Sequence, residues 1–164
     1  MFNFKELSWE FIVDMAKMGR LAPHRHVELA LLLEGTKPVV LTSEDEVTQT
    51  IRFFNDKIDA QLIPNTRKEG NLKLYPGLYA IYLKGNDAVV DELGQIFGRT
   101  YNGTFGWSNR FKNTLNHDID LGRALGYTEY DICKYIINNY TIDEFEEWQQ
   151  FQNEQNMITS NSEI

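Results

Sequence analysis

Apolar residues recur every three or four positions along most of the chain, which is the spacing of amphipathic helices. Ser43, Thr128 and Thr141 each precede such a stretch and are followed three positions later by an acidic residue, the pattern of a capping box. Ser8 is placed to cap a first helix that Gly19 ends. The pattern predicts helices over 9–18, 23–33, 43–59, 87–98 and 107–125, and two more that begin at Thr128 and Thr141.

Two short segments have the β-branched and aromatic composition of strands, 37–42 and 78–83. A further extended segment covers 72–75, and 63–71 is predicted as a loop. These strands are too few, and too irregularly spaced among the helices, for a doubly wound nucleotide-binding sheet. We therefore predict an α+β fold in which a small sheet of two to four strands is packed by six or seven helices.

Length and composition predict a single globular domain over residues 1–151. The chain has 164 residues, of which 42% are hydrophobic and 24% charged. Apolar periodicity fades after residue 151, so we expect 152–164 to be a frayed or disordered acidic tail. The lone cysteine excludes an intrachain disulfide, and neither a membrane span nor a signal peptide is recognisable. We therefore expect a cytoplasmic protein.

The net charge of -8 is unevenly distributed along the chain. Residues 141–164 contain six acidic and no basic side chains, which leaves only -2 for the first 140 residues. Duplex DNA and anionic membranes require a broad basic face, so we predict neither as a partner. A small anion requires only two or three local cations. The acidic stretch 143–154 is expected to be dispensable for folding and to serve a host protein as partner.

The strongest candidate for a binding site is the carboxylate-free window, residues 94–117. It combines basic side chains with aromatic rings and glycines, which suits stacking of a planar base and binding of a phosphate. The candidate ligand-binding residues are Arg99, Tyr101, Trp107, Arg110 and Lys112, joined by His24 and Arg25 from a second segment. We expect the three cationic groups of the window to converge beside one of its rings. The alternative is that the rings belong to the core and the cations pair with acidic neighbours.

His24 and Arg25 are predicted to lie in the first turn of the second helix. Pro23 suits the first helical position, and free backbone amides there favour an anion. Basic side chains at a helix N-terminus are disfavoured by the helix dipole, so a bound anion or a nearby carboxylate such as Glu28 would offset the cost. A plain exposed turn is the alternative.

His117, Asp118 and Asp120 suggest a metal site or a general base. The sequence does not show whether either of the other histidines, His24 or His26, lies near them. Capping of the following helical segment by an aspartate is the alternative. No phosphate-binding loop, dinucleotide fingerprint, zinc-binding motif or serine-nucleophile motif is present. We therefore predict no catalytic residue, no metal and no cofactor.

The segments RHVELALLLEGTKPVVL (25–41) and GRALGYTEYDI (122–132) together resemble paired segments in small uncharacterised proteins of phages and mobile elements. The resemblance implies an accessory protein that acts stoichiometrically, as a host-defence antagonist. With the carboxylate-free window, it leads us to expect a non-enzymatic protein that sequesters a small anionic ligand such as a nucleotide signal. A stoichiometric inhibitor of a host protein and a metal-dependent hydrolase are the alternatives. The oligomeric state is not predicted.

Overall fold

The computed structural model describes residues 1–54, 56–69, 74–75, 77–101 and 110–162, with the backbone alone described for 68–69, 74–75, 99–101, 110–114 and 158–162. Over these residues the fold is α+β, with seven helices and a three-stranded antiparallel sheet, which confirms the predicted fold class. The helices are α1 (Trp9–Ala16), α2 (Glu28–Leu33), α3 (Glu44–Phe54), α4 (Ala88–Tyr101), α5 (Arg110–Ala124), α6 (Glu129–Asn139) and α7 (Ile142–Ser162). The strands are β1 (Val40–Ser43), β2 (Ile58–Leu62), β3 (Lys68–Glu69), β4 (Leu74–Tyr75) and β5 (Leu78–Leu83). None of these helices combines the length and the apolar character needed to cross a membrane.

The chain divides into two compact units. Unit 1 comprises Met1–Pro23, Phe105–Ile119 and Tyr127–Ile164. Unit 2 comprises His24–Thr104 and Asp120–Gly126. A single domain ending at residue 151 stays a prediction.

Unit 2 is organised around β5, the central strand of the three-stranded sheet. β5 pairs antiparallel with β1 on one side and with β2 on the other. Successive side chains of a strand point to opposite faces, so Ala80 and Tyr82 pack in one apolar cluster with Leu93 of α4. Ile81 packs in a second cluster that includes Leu32 of α2. Both faces of β5 are therefore covered, and its three middle side chains are buried.

β2 is an element that the helical pattern concealed. Ile58 continues the helical spacing of the preceding apolar residues, so a helix was predicted through residue 59. The helix α3 instead ends at Phe54, and Ile58 pairs with Leu83 of β5. Side chains along β2 alternate between more and less buried positions, as expected for a strand at the edge of a sheet.

Unit 1 is helical, and its core lies where α1, α6 and α7 pack with residues of α5. Ser8 caps α1 as predicted, because its side chain accepts the Phe11 N–H at 3.1 Å. The core includes Ile12 and Leu115, which are fully buried. The Trp148 indole is also buried and donates to Asn116 Oδ1 at 3.2 Å. This bond ties α7 to α5.

The capping boxes predicted for the last two helices are confirmed. Thr128 and Asp131 exchange side-chain to backbone bonds at the start of α6, and Thr141 and Glu144 do so at the start of α7. α5 is continuous from Arg110 to Ala124.

The acidic stretch 143–154 is part of the core of unit 1. Phe145 and Trp148 are 0% and 1% exposed, so the prediction that this stretch is dispensable for folding is wrong. Its carboxylates occupy the solvent side of α7, and the helical spacing of the two rings places them on the buried side. α7 continues as helix through Ser162, beyond residue 151, where the apolar period fades.

Candidate functional site

The structure describes the side chains of two of the seven predicted ligand-binding residues, His24 and Arg25. Trp107 lies outside the described residues. The other four are described by their backbone, two in α4 and two in α5: Arg99, Tyr101, Arg110 and Lys112. The convergence of the cationic groups of the carboxylate-free window therefore stays a prediction.

His24 and Arg25 lie in a turn that precedes α2, and not in the first turn of the helix. α2 begins at Glu28, and Val27 caps it without a side-chain hydrogen bond. His26 has a φ of +69°, a left-handed conformation that a right-handed helix cannot contain. The predicted placement is therefore wrong, and the argument from a helix N-terminus does not apply to this six-residue helix.

Lys37 reaches this turn because α2 ends in a Schellman motif. Gly35 has a φ of +82°, which glycine adopts without steric cost. The Thr36 N–H donates to the Leu31 carbonyl at 3.0 Å, and the Lys37 N–H donates to the same carbonyl at 3.1 Å. The chain therefore reverses at the end of the helix and enters β1.

The Lys37 side chain is the buried centre of the site. It is 2% exposed, and its Nζ lies 2.9 Å from His24 Nδ1 and 2.7 Å from the Leu125 carbonyl oxygen. Gly126 follows this carbonyl with a φ of +87°, and a Cβ there would lie 2.8 Å from Pro38 Cδ. A glycine is therefore required where this segment approaches the residue after Lys37.

Lys37 and His24 share one hydrogen bond. An ammonium group has three donors and no acceptor, so while Lys37 is charged it donates to both His24 Nδ1 and the Leu125 carbonyl oxygen. Burial lowers the pKa of Lys37, and the nearby Glu28 carboxylate opposes that change. We call His24, Arg25, Glu28 and Lys37 the His24 cluster.

Sequence reasoning missed Lys37, which it assigned to a strand. The signal that could have indicated this buried lysine is its position at the start of an apolar segment, which is itself expected to be buried. Its partners could not be read from the sequence, because Leu125 is 88 residues away.

Asp118 and His117 lie within α5, so the interpretation of Asp118 or Asp120 as a helix cap is wrong. Asp118 Oδ2 instead accepts a short hydrogen bond from the Tyr140 hydroxyl. Within the described residues, no group of three or more histidine, cysteine, aspartate or glutamate side chains is arranged to hold a metal ion.

Comparisons of the chain with protein-family models, with curated proteins and with solved structures find no match. The class that the fold defines is an α+β protein.

Proposed function

We propose that this protein is a non-enzymatic accessory protein that sequesters a small anionic ligand, of the nucleotide class, at the His24 cluster. The observation that carries the proposal is the 2.9 Å contact between Lys37 Nζ and His24 Nδ1. It joins two basic side chains, one of them buried, and the exposed Arg25 follows His24 in the sequence.

Burying the charge of Lys37 costs electrostatic free energy, which Glu28 offsets in part and a bound anion would offset further. The hydrogen bond to Lys37 fixes the position of the His24 ring. Arg25 has the planar guanidinium that binds phosphate through two parallel hydrogen bonds. The site thus combines a positioned imidazole ring with an exposed guanidinium group on the next residue.

The test is isothermal titration with ATP, cyclic AMP and a cyclic dinucleotide, each as a separate probe. Arg25→Gln removes the exposed charge of the cluster, and Arg52→Gln removes an exposed charge on α3 as the matched control. Loss of a charge-assisted hydrogen bond is expected to weaken binding about tenfold in Arg25→Gln. Arg52→Gln is expected to bind like the wild type. Absence of binding by every probe, or equal losses in both variants, would contradict the proposal.

The contribution of the carboxylate-free window to binding is tested in the same assay with single variants. Trp107→Ala removes a ring proposed to stack on a base, and Arg99→Ala removes a cation proposed to bind phosphate. Arg110→Ala and Lys112→Ala test the remaining cations, and Tyr101→Ala tests the second ring. Wild-type affinity in all five variants would remove the window from the ligand site.

A second candidate function, stoichiometric inhibition of a host protein, is favoured by an aromatic row in unit 1. The Phe2 ring lies 5.5 Å from that of Phe11 and 5.8 Å from that of Tyr130, both measured between centroids. Phe11 and Tyr130 are 37% and 39% exposed, and exposed aromatic clusters are typical of protein interfaces. A photo-crosslinking residue at Tyr130 is expected to give one discrete adduct in host cells. The same residue at Phe53, an exposed ring of unit 2, is the control and is expected to give none.

A further inference from the structure

Asp118 is a half-buried carboxylate in unit 1 that the proposed function does not use. Its Oδ2 accepts from the Tyr140 hydroxyl, and Tyr135 lies near enough to act electrostatically on it. Tyr135 lies on α6 and Tyr140 caps the end of that helix, so both phenols lie near one carboxylate of α5. We call these three residues the Asp118 site.

The segment that contains Tyr135 and Tyr140 is acidic. Residues 127–164 contain eight carboxylate side chains and one lysine, and Glu144 acts electrostatically on Tyr140. His117 is the basic group whose charge acts on Asp118. Among side chains that the structure describes, no lysine or arginine forms a salt bridge with Asp118.

The protonation states suit the recognition of a cation. Burial raises the pKa values of Tyr135 and Tyr140, so both phenols stay protonated, and the Tyr140 hydroxyl donates to the carboxylate. A carboxylate has about four acceptor positions, so this phenol donor leaves room for further N–H donors. Tyr135 is 43% exposed, so a ligand in solution can reach this residue.

A carboxylate flanked by tyrosine rings is the chemistry that recognises an organic cation. Ammonium and guanidinium groups carry N–H donors for the carboxylate and are attracted to the faces of aromatic rings. A hard metal ion such as Ca²⁺ would need six or more oxygen ligands, and an anion would be repelled by the carboxylate.

We propose that Asp118, Tyr135 and Tyr140 form a binding site for an alkylammonium or guanidinium group. This inference is independent of the proposed function, because the ligand has the opposite charge and the residues belong to the other unit. Two sources of such a group fit the same chemistry, a free polyamine and a lysine or arginine side chain of a protein partner.

The test is isothermal titration with two probes, spermidine and the neutral-ended peptide acetyl-Gly-Arg-Gly-amide. Asp118→Asn keeps the size of the side chain and removes its charge. Asp143→Asn, an exposed carboxylate on α7, is the matched control for general electrostatics. We expect Asp118→Asn to weaken binding about tenfold, and Asp143→Asn to weaken it less than about threefold, as for an exposed charge pair.

Variants of Tyr135 keep the proposal testable if Asp118→Asn does not fold. Tyr135→Phe retains the ring and is expected to retain more of the affinity than Tyr135→Ala. Peptide binding assigns the site to a protein partner, and binding of spermidine alone assigns it to a free polyamine. Failure of both probes to bind, or equal losses in Asp118→Asn and Asp143→Asn, would overturn the proposal, and neither result depends on nucleotide binding at the His24 cluster.

Discussion

Gly19 lies where the end of α1 approaches the backbone of α6 so closely that no side chain fits. A Cβ at this position would lie 2.1 Å from the Tyr130 carbonyl oxygen, 2.6 Å from its carbon and 3.0 Å from the Asp131 nitrogen. All three atoms belong to the helix backbone, so no rotamer change can relieve the contact. The next residue, Arg20, donates its N–H to Asp131 Oδ1 at 2.8 Å, and this bond depends on the same approach.

The expected cost of Gly19→Ala follows from these contacts. Overpacking typically costs about 1–3 kcal/mol, and loss of the Arg20 bond adds about 1 kcal/mol. The lower entropy of the unfolded chain returns about 0.4–1 kcal/mol. We therefore expect a net loss of about 1–3.5 kcal/mol, which for a chain of this length lowers the melting temperature by about 2–14 °C.

The assay is urea unfolding of unit 1 followed by tryptophan fluorescence, because all three tryptophans fall within the segments of that unit. Gly35→Ala, followed by circular dichroism, is the control. It has a φ of +82° with no atom within 4 Å of the added Cβ, so its cost is backbone strain of about 1–2 kcal/mol, reduced by the same entropy return of about 0.4–1 kcal/mol. A loss in Gly19→Ala no larger than in Gly35→Ala would refute the close approach of α1 to α6.

Four further predictions concern buried groups and the end of α7. Cys133 is fully buried and its pKa is raised to about 11. A disulfide reagent at pH 8 should therefore label this thiol only after unfolding. Rapid labelling of the native protein would contradict the burial of Cys133. Burial raises the pKa of Asp118, so the native state binds its proton more tightly than the unfolded state does. The free energy of unfolding should therefore fall as the pH rises from about 4 through the native pKa of Asp118. Asp118→Asn should lack this fall, as measured by urea unfolding across that range. Burial lowers the pKa of Lys37, so the unfolded state binds more protons than the native state at high pH. Lys37 should therefore make the free energy of unfolding rise between its native pKa and pH 10.5. Lys37→Met should remove this rise. Deleting 155–164 should leave the melting temperature nearly unchanged, whereas deleting 152–164 also removes buried Gln152 and should lower it.

The helix starts were predictable because their signals are local. Ser8 and Thr128 accept backbone N–H groups three residues away, so the residues that define each start are adjacent in the sequence. β2 was not predictable from the same signals. Ile58 fits a helical and an extended pattern equally well. Its partner Leu83 is 25 residues away, so short-range sequence patterns do not indicate the pairing.

The candidate sites depend on contacts that are more distant still. His24 and Arg25 were identified from composition, but their position in a turn follows from the left-handed backbone of His26, which composition does not reveal. Asp118 was noticed because it follows a histidine. Its partner Tyr140 lies 22 residues further on and could be found only once α5 and α6 were in place. Sequence therefore indicated the residue types and left their partners open.

The two proposed sites select ligands of opposite charge. The effect of side-chain arrangement on binding can therefore be distinguished from the effect of net charge. Unit 1 carries 12 acidic and 6 basic side chains, and unit 2 carries 12 and 10, so a cation is attracted to either unit without any built site. At 0.15 M salt the screening length is about 8 Å, and general attraction of this kind weakens strongly. Arg25→Gln should then weaken the binding of ATP and leave spermidine binding unchanged, while Asp118→Asn should do the reverse. If each variant instead changed both ligands alike, net charge and not the arrangement of these side chains would account for binding.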